Sequence, residues 1–178
     1  MIDFSRNYFD LFGLPRRFRF DPAALDRAYR ALQREVHPDR YAASPDAERR
    51  LALQSSARVN EAYSALKDPV ARAHYLLSLD GGAPPDEAES ALPVEFLERQ
   101  LERREAVSDA LAARDANALA ALRAEVDAEA AREEQRVAEL LDRNSDAERQ
   151  TARAVLRELT FLAKLAADID AMQAELDG

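Results

Sequence analysis

A run of helix-breaking residues divides this chain into two parts. Between residues 80 and 86 the sequence reads Asp-Gly-Gly-Ala-Pro-Pro-Asp. Paired glycines favour turns and prolines remove backbone donors, so a helix cannot continue through this segment from either side. Elsewhere alanine, leucine, arginine and glutamate dominate, and all four are strong helix formers. We therefore expect an all-α protein with one domain over residues 1–80, a linker over 81–90 and a second domain over 91–178.

Capping residues and prolines divide the first part into four predicted helices. The second of them begins at Asp21-Pro22, which is an N-cap followed by proline in the first turn. It ends near Val36, because His37 precedes a proline and is pushed out of the helical region. The other three helices are predicted near residues 7–12, 44–66 and 68–79. The short connection over residues 37–43 makes the second and third helices an antiparallel hairpin.

Three longer helices are predicted in the second part. They begin near Pro93, Asp115 and Ser145, and Ser145 has the spacing of a capping box with Glu148. Their connections are short, which is typical of an antiparallel bundle. We expect a three-helix bundle over residues 91–178.

The net charge of −9 is unevenly distributed along the chain. Residues 1–80 carry 13 basic and 11 acidic side chains, whereas residues 81–178 carry 12 and 23. This asymmetry favours two parts that meet two different partners. It argues against nucleic acid as a partner, since phosphate binding needs a dense cationic surface. The simpler alternative for the second part is that acidic helices only keep a bundle in solution.

The composition also excludes several kinds of site. The chain has no cysteine, so disulfides, thiolate metal sites and thiol catalysis are excluded. This fits a reducing compartment, and we expect a cytoplasmic protein. We expect neither a signal peptide nor a membrane span, because no apolar run is long enough for either. We predict no cofactor and no metal.

Two features of the predicted hairpin lie outside its apolar faces. The connection contains His37-Pro38-Asp39, in which a rigid proline is flanked by side chains that should project outward. Next to it runs a cationic stripe at helical spacing, formed by Arg27, Arg30 and Arg34 on the second helix with Arg40 beyond the turn. Each arginine offers a planar donor fork that suits carboxylates. Taken separately, the two features could be an ordinary turn and an ordinary solvated face.

Together these residues resemble a J-domain, the helical hairpin that activates DnaK-type ATPase chaperones. More narrowly, the chain resembles the HscB family of iron–sulfur co-chaperones. The resemblance rests on residues 8–15, on His37-Pro38-Asp39-Arg40-Tyr41, on residues 56–63, 68–69 and 72–79, and on 96–102 and 161–165. It covers nearly the whole chain. The combination of motifs is far more specific than His-Pro-Asp alone.

The resemblance implies a J-domain followed by a three-helix domain, and a co-chaperone function. Such a protein stimulates the ATPase of a DnaK-type chaperone (HscA-like) and delivers to it the iron–sulfur cluster scaffold protein (IscU-like). His37, Pro38 and Asp39 would trigger ATP hydrolysis, and the arginine stripe would dock the chaperone. In the family a lysine usually follows His-Pro-Asp, and Arg40 keeps that charge. The cysteine-based zinc module of some relatives cannot form here.

The helix after Pro93 carries a second candidate surface. Its acidic stripe consists of Glu98, Glu102, Glu105 and Asp109, with Leu97 and Leu101 beside it. Phe161 lies off the main apolar stripe of the last helix. Periodicity alone leaves these apolar residues either in the bundle core or on a binding face. The resemblance implies that Leu97, Leu101, Glu102, Glu105, Asp109 and Phe161 bind the scaffold. Glu98 shares this face at a position where the family often has an apolar residue, so the apolar patch would be smaller.

Three other functions fit parts of the sequence. A general J-domain co-chaperone with a different client is disfavoured, because the chain has neither a Gly/Phe-rich segment nor cysteines. An enzyme using His37 and Asp39 as an acid–base pair would need a pocket and a nucleophile, which an exposed turn does not supply. The only other histidine, His74, is expected to face solvent or pack beside the fourth helix. The third alternative is a helical adaptor whose His-Pro-Asp has no role.

Overall fold

The computed structural model describes residues 2–79, 92–143 and 145–177. Within these ranges the chain forms seven α-helices and one short 3₁₀-helix, with no strand. It divides into two compact units, Met1–Asp80 and Gly81–Gly178. The expected all-α fold is confirmed. The predicted linker over residues 81–90 lies outside the described residues.

The first unit is a helical hairpin with two shorter helices. Its elements are α1 (Tyr8–Phe12), α2 (Pro22–Val36), a 3₁₀-helix (Pro38–Tyr41), α3 (Asp46–Lys67) and α4 (Pro69–Leu79). α2 and α3 run antiparallel, since Asp26 bonds to Tyr63 while Gln33 bonds to Asn60. Apolar side chains from all four α-helices are buried, among them Phe9, Leu25, Val59 and Leu76.

Local capping explains where the hairpin begins and turns. The carboxylate of Asp21 accepts a hydrogen bond from the backbone N–H of Ala23 at 2.9 Å, so α2 starts at the predicted cap. α3 starts at Asp46, with Pro45 at its N-cap. The connection predicted as a plain loop contains one 3₁₀ turn, because Pro38 fixes its first residue and His37 caps it.

The second unit is a three-helix bundle of α5 (Val94–Ala112), α6 (Ala116–Arg143) and α7 (Asp146–Asp177). Its core cluster contains Phe96, Val107, Ala110, Leu119, Val126, Leu162, Leu165, Ala166 and Ile169. α5 ends two residues before the predicted position, because Arg114 adopts a left-handed conformation with φ of 51°. The N–H of Asp115 then reaches back to the carbonyl of Ala110 at 2.8 Å and closes the helix. No helix in the described ranges is long and apolar enough to cross a membrane.

Candidate docking surfaces

The His-Pro-Asp turn lies at the tip of the α2–α3 hairpin with its acidic side chain in solvent. The backbone N–H of Asp39 donates to Nδ1 of His37 at 3.3 Å, which makes the imidazole the cap of the 3₁₀ turn. The two side chains approach to 3.6 Å, yet the carboxylate of Asp39 is 90% exposed and the imidazole of His37 is 54% exposed. Both side chains therefore project outward as expected. Side chains exposed to this degree on a turn suit contact with another protein.

Two residues after the turn tie it to the end of α2. The guanidinium of Arg40 donates to the backbone carbonyl of Arg34 at 2.9 Å, and the hydroxyl of Tyr41 donates to the carbonyl of Glu35 at 3.3 Å. Carbonyls in the last turn of a helix have no partner within that helix, and these side chains supply one. Arg40 thus has a structural contact in addition to the predicted docking role, which the sequence pattern alone did not reveal.

The cationic stripe on α2 is exposed along its length. Arg27 pairs with the cap residue Asp21 at 3.1 Å, and Arg30 lies 4.0 Å from Asp26. The side chain of Arg34 bonds to the carbonyl of Arg30 at 3.2 Å. Ion pairs this exposed contribute about 0–1 kcal/mol to stability. The three guanidinium groups therefore remain available to an acidic partner at little cost to the fold.

A network of stacked rings and side-chain hydrogen bonds joins α2, which carries this stripe, to α3. Sequence reasoning missed this network. The rings of Tyr29 and Tyr63 stack with centroids 4.0 Å apart. Asn60 accepts hydrogen bonds from the hydroxyl of Tyr29 at 3.0 Å and from the amide of Gln33. The hydroxyl of Tyr63 donates to Asp26 at 2.8 Å. Periodicity placed both tyrosines on apolar faces, and their polar ends could not be paired without the tertiary structure.

The second candidate surface lies on α5 and exposes large aliphatic side chains. Leu97 is 45% exposed, Leu101 is 61% exposed and Val94, which sequence reasoning overlooked, is 65% exposed. The acidic stripe beside them is also exposed, namely Glu98, Glu102, Glu105 and Asp109. Of the two interpretations that periodicity left open for the leucines, the structure excludes the core. Spacings of three and four residues from Val94 to Leu101 make one continuous apolar patch.

Phe161 of α7 contributes a half-buried aromatic ring beside this part of α5. Its ring meets the buried ring of Phe96 edge to face, with centroids 5.7 Å apart. The guanidinium of Arg104 lies over the same ring, 5.4 Å from its centroid. Phe161 thus lies next to the turns of α5 that carry Leu97 and Leu101, packed partly on the core and partly accessible.

Beneath the exposed leucines, the inner face of α5 is held by charged and polar groups. The carboxylate of Glu129 on α6 is buried and pairs with Arg103 and, at 3.7 Å, with Arg99. Gln100, between these arginines, is only 2% exposed. Further along the bundle, burial and then the nearby carboxylate of Glu133 raise the pKa of Glu158 above its usual value. α5 is therefore unusual in burying a glutamine and exposing leucines.

Nothing in the described ranges resembles a metal centre, since no group of three histidine or acidic side chains could hold an ion there. His74 lies on α4, and partial burial of its imidazole lowers its pKa. It lies on a different helix from the His-Pro-Asp turn.

Two family models match the chain, one over each unit. A DnaJ domain model matches residues 7–75, and a model described as the HSCB C-terminal oligomerisation domain matches residues 92–170. The first match covers the hairpin and its turn, and the second covers the helix bundle with the exposed leucines.

Complete proteins show the same similarity. The Burkholderia multivorans and Burkholderia vietnamiensis proteins named Co-chaperone protein HscB homolog are 45% and 44% identical over 177 residues, 99% of each chain. The solved HscB of Vibrio cholerae is 36% identical with a TM-score of 0.83, covering 96% of this chain and 99% of that one. Human HscB is 27% identical with a TM-score of 0.85, covering 96% and 83%. The chain therefore belongs to the HscB family of J-domain co-chaperones.

Proposed function

We propose that this co-chaperone joins two specific partners, a DnaK-type ATPase chaperone that is HscA-like and an iron–sulfur scaffold protein that is IscU-like. The first would bind to residues 1–80 and the second to the bundle over residues 91–178, with residues 81–90 as the linker. The observation that carries the proposal is the exposure of Leu97 and Leu101 on a helix whose other face is packed. Aliphatic side chains this exposed, rimmed by carboxylates, are typical of a binding surface.

In this proposal the His-Pro-Asp turn is the trigger for the chaperone's ATPase. The exposed carboxylate of Asp39 makes the decisive contact, while His37 and Pro38 hold the backbone of the turn. The chain catalyses no reaction itself, because the ATP and the hydrolytic site belong to the chaperone. The arginine stripe, Arg27, Arg30, Arg34 and Arg40, steers an acidic surface of the chaperone onto the hairpin through long-range attraction.

The scaffold would bind the outer face of α5. Leu97, Leu101 and the accessible edge of Phe161 are the proposed anchors, and Glu98, Glu102, Glu105 and Asp109 the acidic rim. Buried anchors dominate interface energies, whereas rim charges mainly adjust rate and specificity. Val94 lengthens the apolar patch by one turn. Its side chain adds apolar area that Glu98 does not provide. The proposed compartment is the cytoplasm, because the absence of cysteine fits a reducing environment.

The experiment that tests this proposal measures ATP turnover of the chaperone with and without the scaffold. The full chain should stimulate turnover, and the scaffold should raise the stimulation further. A Leu97→Ala, Leu101→Ala double variant should stimulate to the same basal level but lose the increment from the scaffold. The matched control replaces two exposed carboxylates of α6, Glu125 and Asp142, by alanine. If the leucine variant kept the full increment, the scaffold would bind elsewhere.

A further inference from the structure

A groove runs between α5 and α7 on the side of the bundle that carries Phe161. Its volume is about 300 Å³, and its floor consists of the buried side chains Val107, Leu165 and Ile169. Half-buried Leu111 and Met172 also line it. A volume of this size is at the lower limit of ligand pockets, roughly 300–1,000 Å³, and suits a single side chain of a partner protein.

The groove is continuous with the proposed scaffold face. Arg104 lines the groove and also covers the ring of Phe161. A row of residues along α5, at spacings of three and four, joins the exposed leucines to the groove. It consists of Leu97, Leu101, Arg104, Ser108 and Leu111. Residues at these spacings lie on one face of a helix. A partner lying along this face would therefore reach the groove about two turns beyond Leu101.

Carboxylates outnumber cations around the groove, although Arg104 also lines it. Asp168 of α7 lines one side, and the exposed carboxylates of Glu105 and Asp109 follow directly after Arg104 and Ser108 on α5. The whole second part carries 23 acidic against 12 basic side chains. An apolar floor within a border that is acidic on balance is complementary to an apolar side chain on a basic segment.

We propose that the groove is a second anchor site of the scaffold interface. It takes one aliphatic or aromatic side chain of the scaffold, from a segment whose neighbouring basic residue pairs with Asp168. This inference rests on the proposed scaffold-binding function. It adds residues that neither the sequence pattern nor the exposed leucines indicate, because the groove's floor belongs to the bundle core.

The test fills the groove without removing core atoms. Ser108 is exposed at its edge, so Ser108→Trp should occupy it and leave the melting temperature unchanged. Calorimetry of the full chain with the scaffold should then give an affinity reduced about tenfold or more, the range of a lost anchor. Asp168→Lys should also weaken binding. Ala124→Trp, at an exposed position of α6, is the matched control and should bind as the wild type does.

Each other outcome is decisive. Wild-type affinity in Ser108→Trp, together with reduced affinity in Leu101→Ala, would overturn the groove proposal and leave the scaffold function intact. Failure of the wild-type chain to bind the scaffold would overturn both. If Ser108→Trp abolished self-association in sedimentation and spared scaffold affinity, the occupant would be a second copy of this chain. Should Ser108→Trp unfold, unchanged scaffold affinity in Asp168→Lys would still count against the groove.

Discussion

Nδ1 of His37 accepts the backbone N–H of Asp39 at 3.3 Å, while the carboxylate of Asp39 remains 90% exposed. The imidazole therefore shapes the turn, and the carboxylate is the part that a partner can reach. The two residues of the motif have different physical roles, and substitutions can separate them.

Asp39→Asn should abolish stimulation of the chaperone's ATPase and leave the fold intact. The change removes a charge from an exposed side chain that supports no core contact. Steady-state ATP turnover and a thermal melt measure the two effects. Asp46→Asn, a similarly exposed carboxylate at the start of α3, is the control and should stimulate normally. Full stimulation by the Asp39 variant would contradict the trigger role.

Arg30→Glu should weaken docking to the chaperone, and wild-type docking should weaken as salt is added. Arg30 is 73% exposed and its ion pair with Asp26 is long, so the fold should tolerate the reversal. Charges on a solvated stripe act at long range and are screened over about 10 Å at 0.1 M ionic strength. Association rates at several salt concentrations provide the measurement, with exposed Arg50→Glu on α3 as control. Association rates that do not change with salt concentration would contradict electrostatic steering by the arginine stripe.

A fragment of residues 1–82 should fold and stimulate the ATPase weakly without binding the scaffold. The first unit has its own buried side chains on all four helices, including Phe9, Leu25, Val59 and Leu76. Circular dichroism and ATP turnover test the fragment, and residues 91–178 provide the reciprocal fragment. An unfolded 1–82 fragment would mean that the two parts depend on each other for stability, and that the proposed boundary is wrong.

Leu101→Ala should reduce scaffold affinity by about 1–3 kcal/mol with little change in stability. Its side chain is mostly exposed, so its loss leaves no cavity. Phe161→Ala should reduce both scaffold affinity and stability, since the ring packs on Phe96. The loss of stability should be smaller than the roughly 3–5 kcal/mol lost with a fully buried phenylalanine. Glu105→Ala, at the rim, should cost less than about 1 kcal/mol of affinity. Calorimetry and melts distinguish these cases, and a strongly lowered melting temperature for Leu101→Ala would place it in the core.

Glu158→Gln should stabilise the protein at neutral pH and not at acidic pH. Burial, and next the carboxylate of Glu133, raise the pKa of Glu158 above 4.5, so ionising Glu158 costs more in the folded state than in the unfolded state. The penalty is absent below about pH 4.5 and is complete above the raised pKa. The gain in melting temperature over wild type should therefore grow as the pH rises. Exposed Glu139→Gln is the control, and a gain independent of pH would refute the electrostatic explanation.

The sequence predicted the helices well because their limits depend on local chemistry. Asp21-Pro22 and Ser145 with Glu148 cap helices wherever they occur, and the structure has α2 and α7 starting there. The 3₁₀ turn was missed because its formation depends on a single cap by His37. Short elements of this kind leave no periodic pattern in a sequence.

The sites were harder to predict because they depend on contacts between helices. The stack of Tyr29 on Tyr63 joins residues far apart in the sequence. Arg40 and Tyr41 cap carbonyls six residues earlier, a spacing outside helical periodicity. On α5, periodicity could not choose between core and surface for Leu101. The expectation that apolar side chains are buried and polar ones exposed fails there, because Gln100 is buried and the neighbouring Leu101 is exposed.

The buried carboxylate of Glu129 has a consequence for the leucines on the opposite side of α5. A turn of α5 about its own axis could hide Leu97 and Leu101 in the bundle, but it would carry Arg99 and Arg103 away from Glu129. A buried charge that loses its partners costs about 3–5 kcal/mol, and the same rotation would withdraw the buried ring of Phe96 from the core. The two losses together exceed the gain from covering two leucines. The ion pairs therefore act as a rotational lock that keeps an apolar surface facing water even when no partner covers it.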